Sequence, residues 1–369
     1  MTIGRKRLLQ GTVSFGEIEP FQLEFGGYLR PAQVRFALFG EPKESGDNVV
    51  LVCHALSGSA RVDEWWPALF AMDGAFSDDR WCVVGMNIFG SCYGSSGPTS
   101  IDPQTGKPFG GSFPQVTIGD SVRAQAKVLD WLGVERLHAV VGSSIGGMQA
   151  LEWALRYPER VKRCVAIGAT PLNALGLGLN HIQREAIRLA GPDGLGLARQ
   201  IGMCTYKSPR LFDQRHGRRP NRSGDSPFES ADGLFDIAGY LAYQGESFVD
   251  RFDPTSYKVI TRTMDLWDPE REHGPGVWQR IKAATTLIGI STDWLFPAED
   301  VRDLATKIRS CGVDCDYREQ FSDHGHDAFL AEPEFINETL RQLLNVHAEG
   351  FEPAFTAAAE KEEHNGAAC

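Results

Sequence analysis

The five residues Gly142-Ser143-Ser144-Ile145-Gly146 constrain this chain more than any other stretch. An apolar run, Leu137-His138-Ala139-Val140-Val141, leads into them. Gly147-Met148-Gln149-Ala150-Leu151-Glu152-Trp153-Ala154-Leu155 leads out and reads as a helix. A strand that turns sharply into a helix forces the serine at its apex into a cramped backbone conformation. The flanking positions must then lack bulk, and glycine there lets neighbouring segments approach closely. The hydroxyl stands above the sheet beside the first N–H groups of the helix, which favour the negative charge that acyl transfer generates.

A G-x-S-x-G sequence in this setting is the nucleophile elbow of the α/β-hydrolase fold. The rest of the chain alternates accordingly. Val49-Val50-Leu51-Val52-Cys53, Cys82-Val83-Val84-Gly85-Met86, Cys164-Val165-Ala166-Ile167 and Thr286-Leu287-Ile288-Gly289-Ile290 are continuous apolar runs. Strands of that kind are buried on both faces, as in a largely parallel sheet. Asp120 reads as the cap of a helix from Ser121 to about Leu132, and Pro158 stops the helix after the elbow. Helices near 299–310 and 332–346 continue the alternation, and the region before Gly40 reads as antiparallel edge strands. The predicted architecture is an α/β-hydrolase core in two parts, 1–170 and 275–349, with helices on both faces of a mostly parallel sheet. Residues 171–274 break the rhythm. Ile237, Leu241, Phe248 and Phe252 keep helical spacing, as do Val259, Ile260, Thr263 and Trp267, so this segment reads as a helical lid. Within it, 207–221 carries Lys207, Arg210, Arg215, Arg218 and Arg219 against Asp213. That stretch suits a coenzyme's phosphates or, more simply, a solvated mobile loop. The tail 350–369, rich in Ala and Glu, is expected to be disordered.

A chain of 369 residues can bury a sizeable core. A net charge of −11 argues against a general nucleic-acid or anionic-membrane partner. The basic start, Met1 to Leu9, lacks the apolar stretch of a signal peptide, and no window approaches a membrane span. The eight cysteines are scattered, and Cys311 and Cys315 have no second pair to complete a zinc pattern. Reduced thiols in a cytoplasmic protein without a metal are the simplest account.

A serine hydroxyl is barely nucleophilic at neutral pH and needs a base, which in this fold follows in the order Ser, acid, His. The run ending at Ile290 leads into Ser291-Thr292-Asp293, placing Asp293 on a loop at the carboxyl edge of the sheet. The next strand, about Asp316 to Phe321, leads into Ser322-Asp323-His324-Gly325-His326-Asp327. Two histidines are offered there. His326 precedes a helix start and follows the flexible Gly325, which favours it over His324. In the triad so formed, His326 takes and returns the proton and Asp293 fixes the imidazole tautomer. The oxyanion needs two backbone N–H donors, one from Ile145 after the nucleophile and one from the loop His54-Ala55-Leu56-Ser57-Gly58-Ser59.

Specific blocks go further. Cys53-His54-Ala55-Leu56-Ser57-Gly58, Asn87-Ile88-Phe89-Gly90-Ser91-Cys92-Tyr93-Gly94-Ser95-Ser96-Gly97-Pro98, Gly146-Gly147-Met148-Gln149-Ala150-Leu151-Glu152-Trp153, Tyr243-Gln244-Gly245-Glu246 with Arg251-Phe252-Asp253, Asp293-Trp294-Leu295-Phe296-Pro297 and Gly325-His326-Asp327-Ala328-Phe329-Leu330 resemble the homoserine O-acetyltransferases over roughly residues 15–346. The resemblance selects His326 and places the second oxyanion donor at Leu56. It implies a ping-pong transfer from acetyl-CoA, a co-substrate and not a bound cofactor, through acyl-Ser144 to L-homoserine, in methionine biosynthesis. It further implies that Arg199, with Tyr206 beside it, binds the amino acid's carboxylate and Asp327 its ammonium. Relatives that use succinyl-CoA carry an arginine where this chain has Leu295, so the resemblance favours the acetyl donor. A cytoplasmic homodimer is implied as well. The chain departs from the family pattern at Ser143, at Phe36-Ala37-Leu38-Phe39-Gly40 and at Asp323-His324. An O-acyltransferase using L-serine or succinyl-CoA, or an esterase in which water takes the acyl group, therefore stands as the alternative. A non-catalytic binding module is a third reading, opposed by the intact triad.

Overall fold

Val49–Cys53 and Cys82–Met86 are buried at every residue, so neither face of these segments meets water and both must lie between covering layers. The computed structural model describes residues 9–345; the readings made for the first residues and for the tail 350–369 lie outside the described residues. Eight strands form the main sheet: β1 (Leu9–Phe15), β2 (Ala32–Phe39), β3 (Val49–Cys53), β4 (Cys82–Met86), β5 (Ala139–Ser143), β6 (Arg163–Ile167), β7 (Ala284–Ile290) and β8 (Cys315–Gln320). Their lateral order is β1-β2-β4-β3-β5-β6-β7-β8. Pairing is antiparallel from β1 to β2 and from β2 to β4, and parallel across the remaining six. The expected antiparallel edge before Gly40 is present.

Alternate strand residues feed two cores, as the period of two requires. Leu51, Val140, Cys164 and Leu287 pack with α1 (Ile118–Trp131), α2 (Ile145–Arg156) and α9 (Ala298–Ser310) through Val122, Met148, Leu151 and Val301. Val50, Val141, Val165 and Ile288 face the other layer. There Trp66, Phe76 and α10 (Glu334–Asn345) close the sheet with Ile336 and Leu340.

Several boundaries differ from the sequence reading by a residue or two, and two of these shifts have a clear structural cause. Helix α1 begins at Ile118, because Thr117 is the cap: its hydroxyl accepts the Asp120 N–H at 2.9 Å while Asp120 Oδ2 accepts the Thr117 N–H at 3.0 Å. Asp120 is thus the third helical residue of a reciprocal cap and not the cap itself. Strand β5 begins at Ala139 and runs through Ser143; Leu137 makes only an isolated bridge to Val161.

Between β6 and β7 the chain is helical, with α3 (Ala174–Ala190), α4 (Asp193–Thr205), α5 (Pro209–Arg215), α6 (Asp236–Val249), α7 (Pro254–Leu266) and α8 (Pro269–His273). Among the described residues here, the only strand-like pairing is the bridge Pro220–Phe235. The basic stretch 207–221 is helical over Pro209–Arg215, although Arg210, Arg215, Arg218 and Arg219 are exposed as the solvated reading expects. Ser208 caps α5 by accepting the Leu211 N–H, Lys207 is buried, and the Arg218 guanidinium lies 5.3 Å from the Phe235 ring centre.

Candidate active site

Ser144 follows β5 and adopts φ 58°, ψ −128°, the only positive φ of a non-glycine among the described residues. A backbone held there costs about 1–3 kcal/mol and persists only where its surroundings enforce it. The glycines show how. A Cβ on Gly142 would meet Gly146 O at 2.0 Å, one on Gly146 would meet Cys53 O at 2.1 Å, and one on Gly147 would meet the Ala169 Cβ at 2.5 Å. The start of α2 is therefore wedged against the ends of β3 and β6, and any larger side chain would pry the turn open. The Ser144 N–H donates to Ile167 O at 2.8 Å, which ties the elbow to the neighbouring strand.

Three further segments meet at this edge. Gly168, just past β6, sits beside the serine because Ser143 and Ile167 are register partners. The Asp293 loop leaves β7, and the His326 turn follows β8. His326 Nδ1 lies 2.6 Å from Asp293 Oδ2, with both side chains buried. Asp293 Oδ1 accepts the N–H groups of Leu295 at 2.8 Å and Phe296 at 2.9 Å, so both carboxylate oxygens are committed. A Cβ on Gly168, which has φ +51°, would stand 3.3 Å from Asp293 Oδ2 and 3.6 Å from His326 Nδ1. The Asp–His pair thus packs against Gly168, the residue after the register partner of Ser143. No hydrogen bond joins the Ser144 hydroxyl to the imidazole among the described residues, as is common before substrate tightens a site. His324, the other candidate, points elsewhere, with Nε2 3.7 Å from Glu332.

Burial pulls the His326 pKa down, but the charge and hydrogen bond of Asp293, with a contribution from Asp327, outweigh it and leave the imidazole above its ordinary value. The ring is framed by Phe296 at 5.3 Å, Tyr206 at 5.7 Å and Phe329 at 6.1 Å between centroids.

The loop carrying Leu56 is braced from below by His54. Its Nδ1 hydrogen-bonds Ala55 O at 2.8 Å and its Nε2 accepts the Ile88 N–H at 3.3 Å, a pattern that only the neutral ring satisfies. Burial depresses its pKa to about 4. The Arg251 guanidinium reaches Ser57 O at 3.4 Å and Tyr93 Oη at 3.2 Å, linking this loop to the segment after α6. Ile145, the first residue of α2, is fully buried, and Leu56 is half-buried.

On α4, Arg199 lies over two rings, 5.0 Å from Phe248 and 5.5 Å from Tyr206, with no ion pair among the described residues. Leu295 is buried beside the Asp293 carboxylate. Asp327 already holds a cation, Lys207 Nζ at 3.3 Å, an arrangement that counting charges along the sequence did not reveal. Gly168 was also missed; its signal is a Gly-Ala pair directly after an apolar run, too common to stand out.

Strand order and elbow together define an α/β hydrolase, and the family model for the alpha/beta hydrolase fold matches residues 48–195. Over 351 residues the chain is 39% identical to the homoserine O-acetyltransferase of Symbiobacterium thermophilum, covering 88% of this chain and 92% of that protein. Among solved structures, the homoserine O-acetyltransferase of Bacillus anthracis superposes with a TM-score of 0.84 at 22% identity, over 93% of this chain and 99% of that one. Esterase E22 superposes at 0.82 with 23% identity, over 91% and 99%, and like the former comparison speaks to the fold alone. On the sequence identity and coverage, the chain belongs to the homoserine O-acetyltransferase family.

Proposed function

We propose that this chain moves an acetyl group from acetyl-CoA to the hydroxyl of L-homoserine by a ping-pong mechanism. Ser144 attacks the thioester carbonyl as His326 takes the hydroxyl proton, and the oxyanion is held by the N–H groups of Leu56 and Ile145. His326 returns the proton to the departing thiolate, leaving an acetyl ester on Ser144. The hydroxyl of homoserine, deprotonated by His326, attacks that ester and regenerates the serine. Asp293 holds the imidazole with Nδ1 protonated throughout. Arg199 receives the acceptor's carboxylate in a bidentate fork, with Tyr206 as its platform, and Asp327 receives the ammonium. Leu295 offers no charge to a succinyl carboxylate, which favours the acetyl donor. The helices between β6 and β7 act as the lid that keeps water from the acyl-enzyme. The product enters methionine biosynthesis, and no cofactor or metal is required beyond the acyl donor.

The observation that carries this reading is the 2.6 Å Asp293–His326 pair packed against Gly168, at the same sheet edge as a serine in a strained turn, within a chain of this family. A cytoplasmic homodimer completes it. No helix among the described residues is long and apolar enough to cross a membrane. Leu175, Ile182, Leu189 and Leu197 are exposed on α3 and α4, as a subunit contact there requires. The test is thiol release from acetyl-CoA with and without homoserine, together with the intact mass of the protein. Release that depends on homoserine, and an acetyl adduct that Ser144→Ala abolishes, are expected. Release indifferent to homoserine would assign the chain to hydrolysis, and faster turnover with L-serine would change the acceptor.

A further inference from the structure

The carboxylate of Asp327 is paired before any substrate arrives. Lys207 Nζ lies 3.3 Å from its Oδ2, and only 11% of the Lys207 side chain is exposed, against 25% for Asp327. Arg210, the neighbouring cation, goes instead to Asp323 at 3.6 Å. The backbone around Lys207 is sewn to the catalytic loop. The Asp327 N–H donates to Tyr206 O at 3.2 Å, the Ser208 N–H donates to Asp323 O at 3.1 Å, and a Cβ on Gly325 would meet the Lys207 Cα at 3.0 Å. The ammonium thus has one place to go. The Arg199 guanidinium lies 5.5 Å from the Tyr206 ring centre, so Arg199 and Asp327 both adjoin Tyr206.

We propose that Lys207 is the resident counter-ion of the acceptor-ammonium site, an internal ammonium that an incoming amino acid must share or displace. The proposal rests on the reading that Asp327 receives the acceptor's ammonium. A carboxylate has room for two donors, but the second cation meets a like charge and gains less than it would from a bare anion. Lys207 therefore lowers affinity for homoserine. It also keeps Asp327 compensated when an acceptor without an ammonium binds, so it weakens discrimination for the α-amino group. Without that cation, a half-buried carboxylate loses part of its hydration uncompensated unless the substrate supplies a cation.

Lys207→Met removes the charge and keeps the stem; Lys207→Arg keeps the charge. The readouts are kcat/KM for L-homoserine, for γ-hydroxybutyrate (the same alcohol without its ammonium) and for acetyl-CoA. In a ping-pong scheme the last reports the first half-reaction alone. In Lys207→Met the preference for homoserine over γ-hydroxybutyrate should rise roughly tenfold, the scale of one partly buried ion pair. The homoserine value itself should increase, and Lys207→Arg should keep the wild-type ratio. A ratio unchanged or lowered in Lys207→Met overturns the proposal, as does a homoserine value that falls in Lys207→Met and returns in Lys207→Arg, which is the mark of a residue that merely holds Asp327 in place. Lys207→Gln is the substitute should circular dichroism show Lys207→Met unfolded. A wild-type enzyme that does not transfer to homoserine defeats the functional reading and this proposal together. One that does, with a ratio indifferent to Lys207, defeats this proposal alone.

Discussion

Asp293→Asn separates the triad's electrostatics from its shape, and the structure says which way the new amide will turn. Asp293 Oδ1 accepts two backbone N–H groups, from Leu295 and Phe296, while Oδ2 faces His326 Nδ1. An asparagine satisfies both backbone donors only with its carbonyl toward them, which aims its NH₂ at the imidazole. Nδ1 must then accept, the ring proton moves to Nε2, and the nitrogen nearest the serine has no lone pair with which to take a proton. The productive arrangement requires flipping the amide, which leaves two buried N–H donors facing an NH₂. At about 1–3 kcal/mol for each unsatisfied donor, the flip costs about 2–6 kcal/mol, so the productive form falls to between roughly one part in 30 and one part in 10⁴. A comparable loss on this substitution is known in serine proteases.

The assay is the rapid phase of thiol release from acetyl-CoA, which reports acylation of Ser144 without the acceptor. Asp293→Asn should slow that phase by at least about 30-fold while leaving the fold intact by circular dichroism. The acid limb of the pH profile should move down, because the carboxylate that holds the His326 pKa up has gone. A rate within tenfold of wild type, or a limb that moves up, refutes the tautomer argument and with it the role given to Asp293.

Ser144→Gly should abolish acylation and raise stability by about 1 kcal/mol, since glycine adopts φ 58° without penalty; a lower midpoint in urea would show that the turn is not strained. Arg199→Ala should raise KM for homoserine at least tenfold while thiol release in its absence is little altered, and an unchanged KM would remove Arg199 from the acceptor site. His54 should remain neutral at pH 5 in a histidine NMR titration, with a folded pKa of about 4, and a transition near its ordinary value of 6.5 would mean that the loop is open. The sign for stability follows. Below 6.5 the unfolded chain binds a proton that folded His54 refuses, so its contribution is complete above 6.5 and is lost as pH falls toward 4.

How far the residues alone carried the fold depended on whether one physical demand dominated locally. Val49–Cys53 and Cys82–Met86 were bounded to the residue because a strand buried on both faces and an unbroken apolar run are the same object. The elbow was legible for a similar reason, since glycines at 142, 146 and 147 are each demanded by a close backbone or Cβ approach. The start of α1 was misplaced because Ile118 and Gly119 carry no helix signal; the reciprocal hydrogen bonds of Thr117 and Asp120 decide it. β5 was shifted because Ser143, polar yet wholly buried, looks like turn and behaves as strand. Within the basic stretch, Lys207 was misjudged for another reason. Composition counts the charge on Lys207 but cannot see that its partner lies 120 residues away, across a junction made by two backbone hydrogen bonds.

On the proposed roles, that junction is where the fold joins recognition to chemistry. His326, the general base of the proposed mechanism, sits on a short turn after β8, an element with little intrinsic stability of its own. Its position is set from two sides: by Asp293 from the sheet, and by residues 206–208 from the helical insertion through Tyr206, Ser208 and Lys207. Arg199 and Tyr206 share α4 and its cap, so any shift of that helix moves the guanidinium and the ring beside the imidazole together. With Arg199 and His326 in the roles proposed, the site cannot loosen its grip on the acceptor without also disturbing the base. On the proposed roles, the insertion acts as the second half of the active site and not only as a cover placed over it.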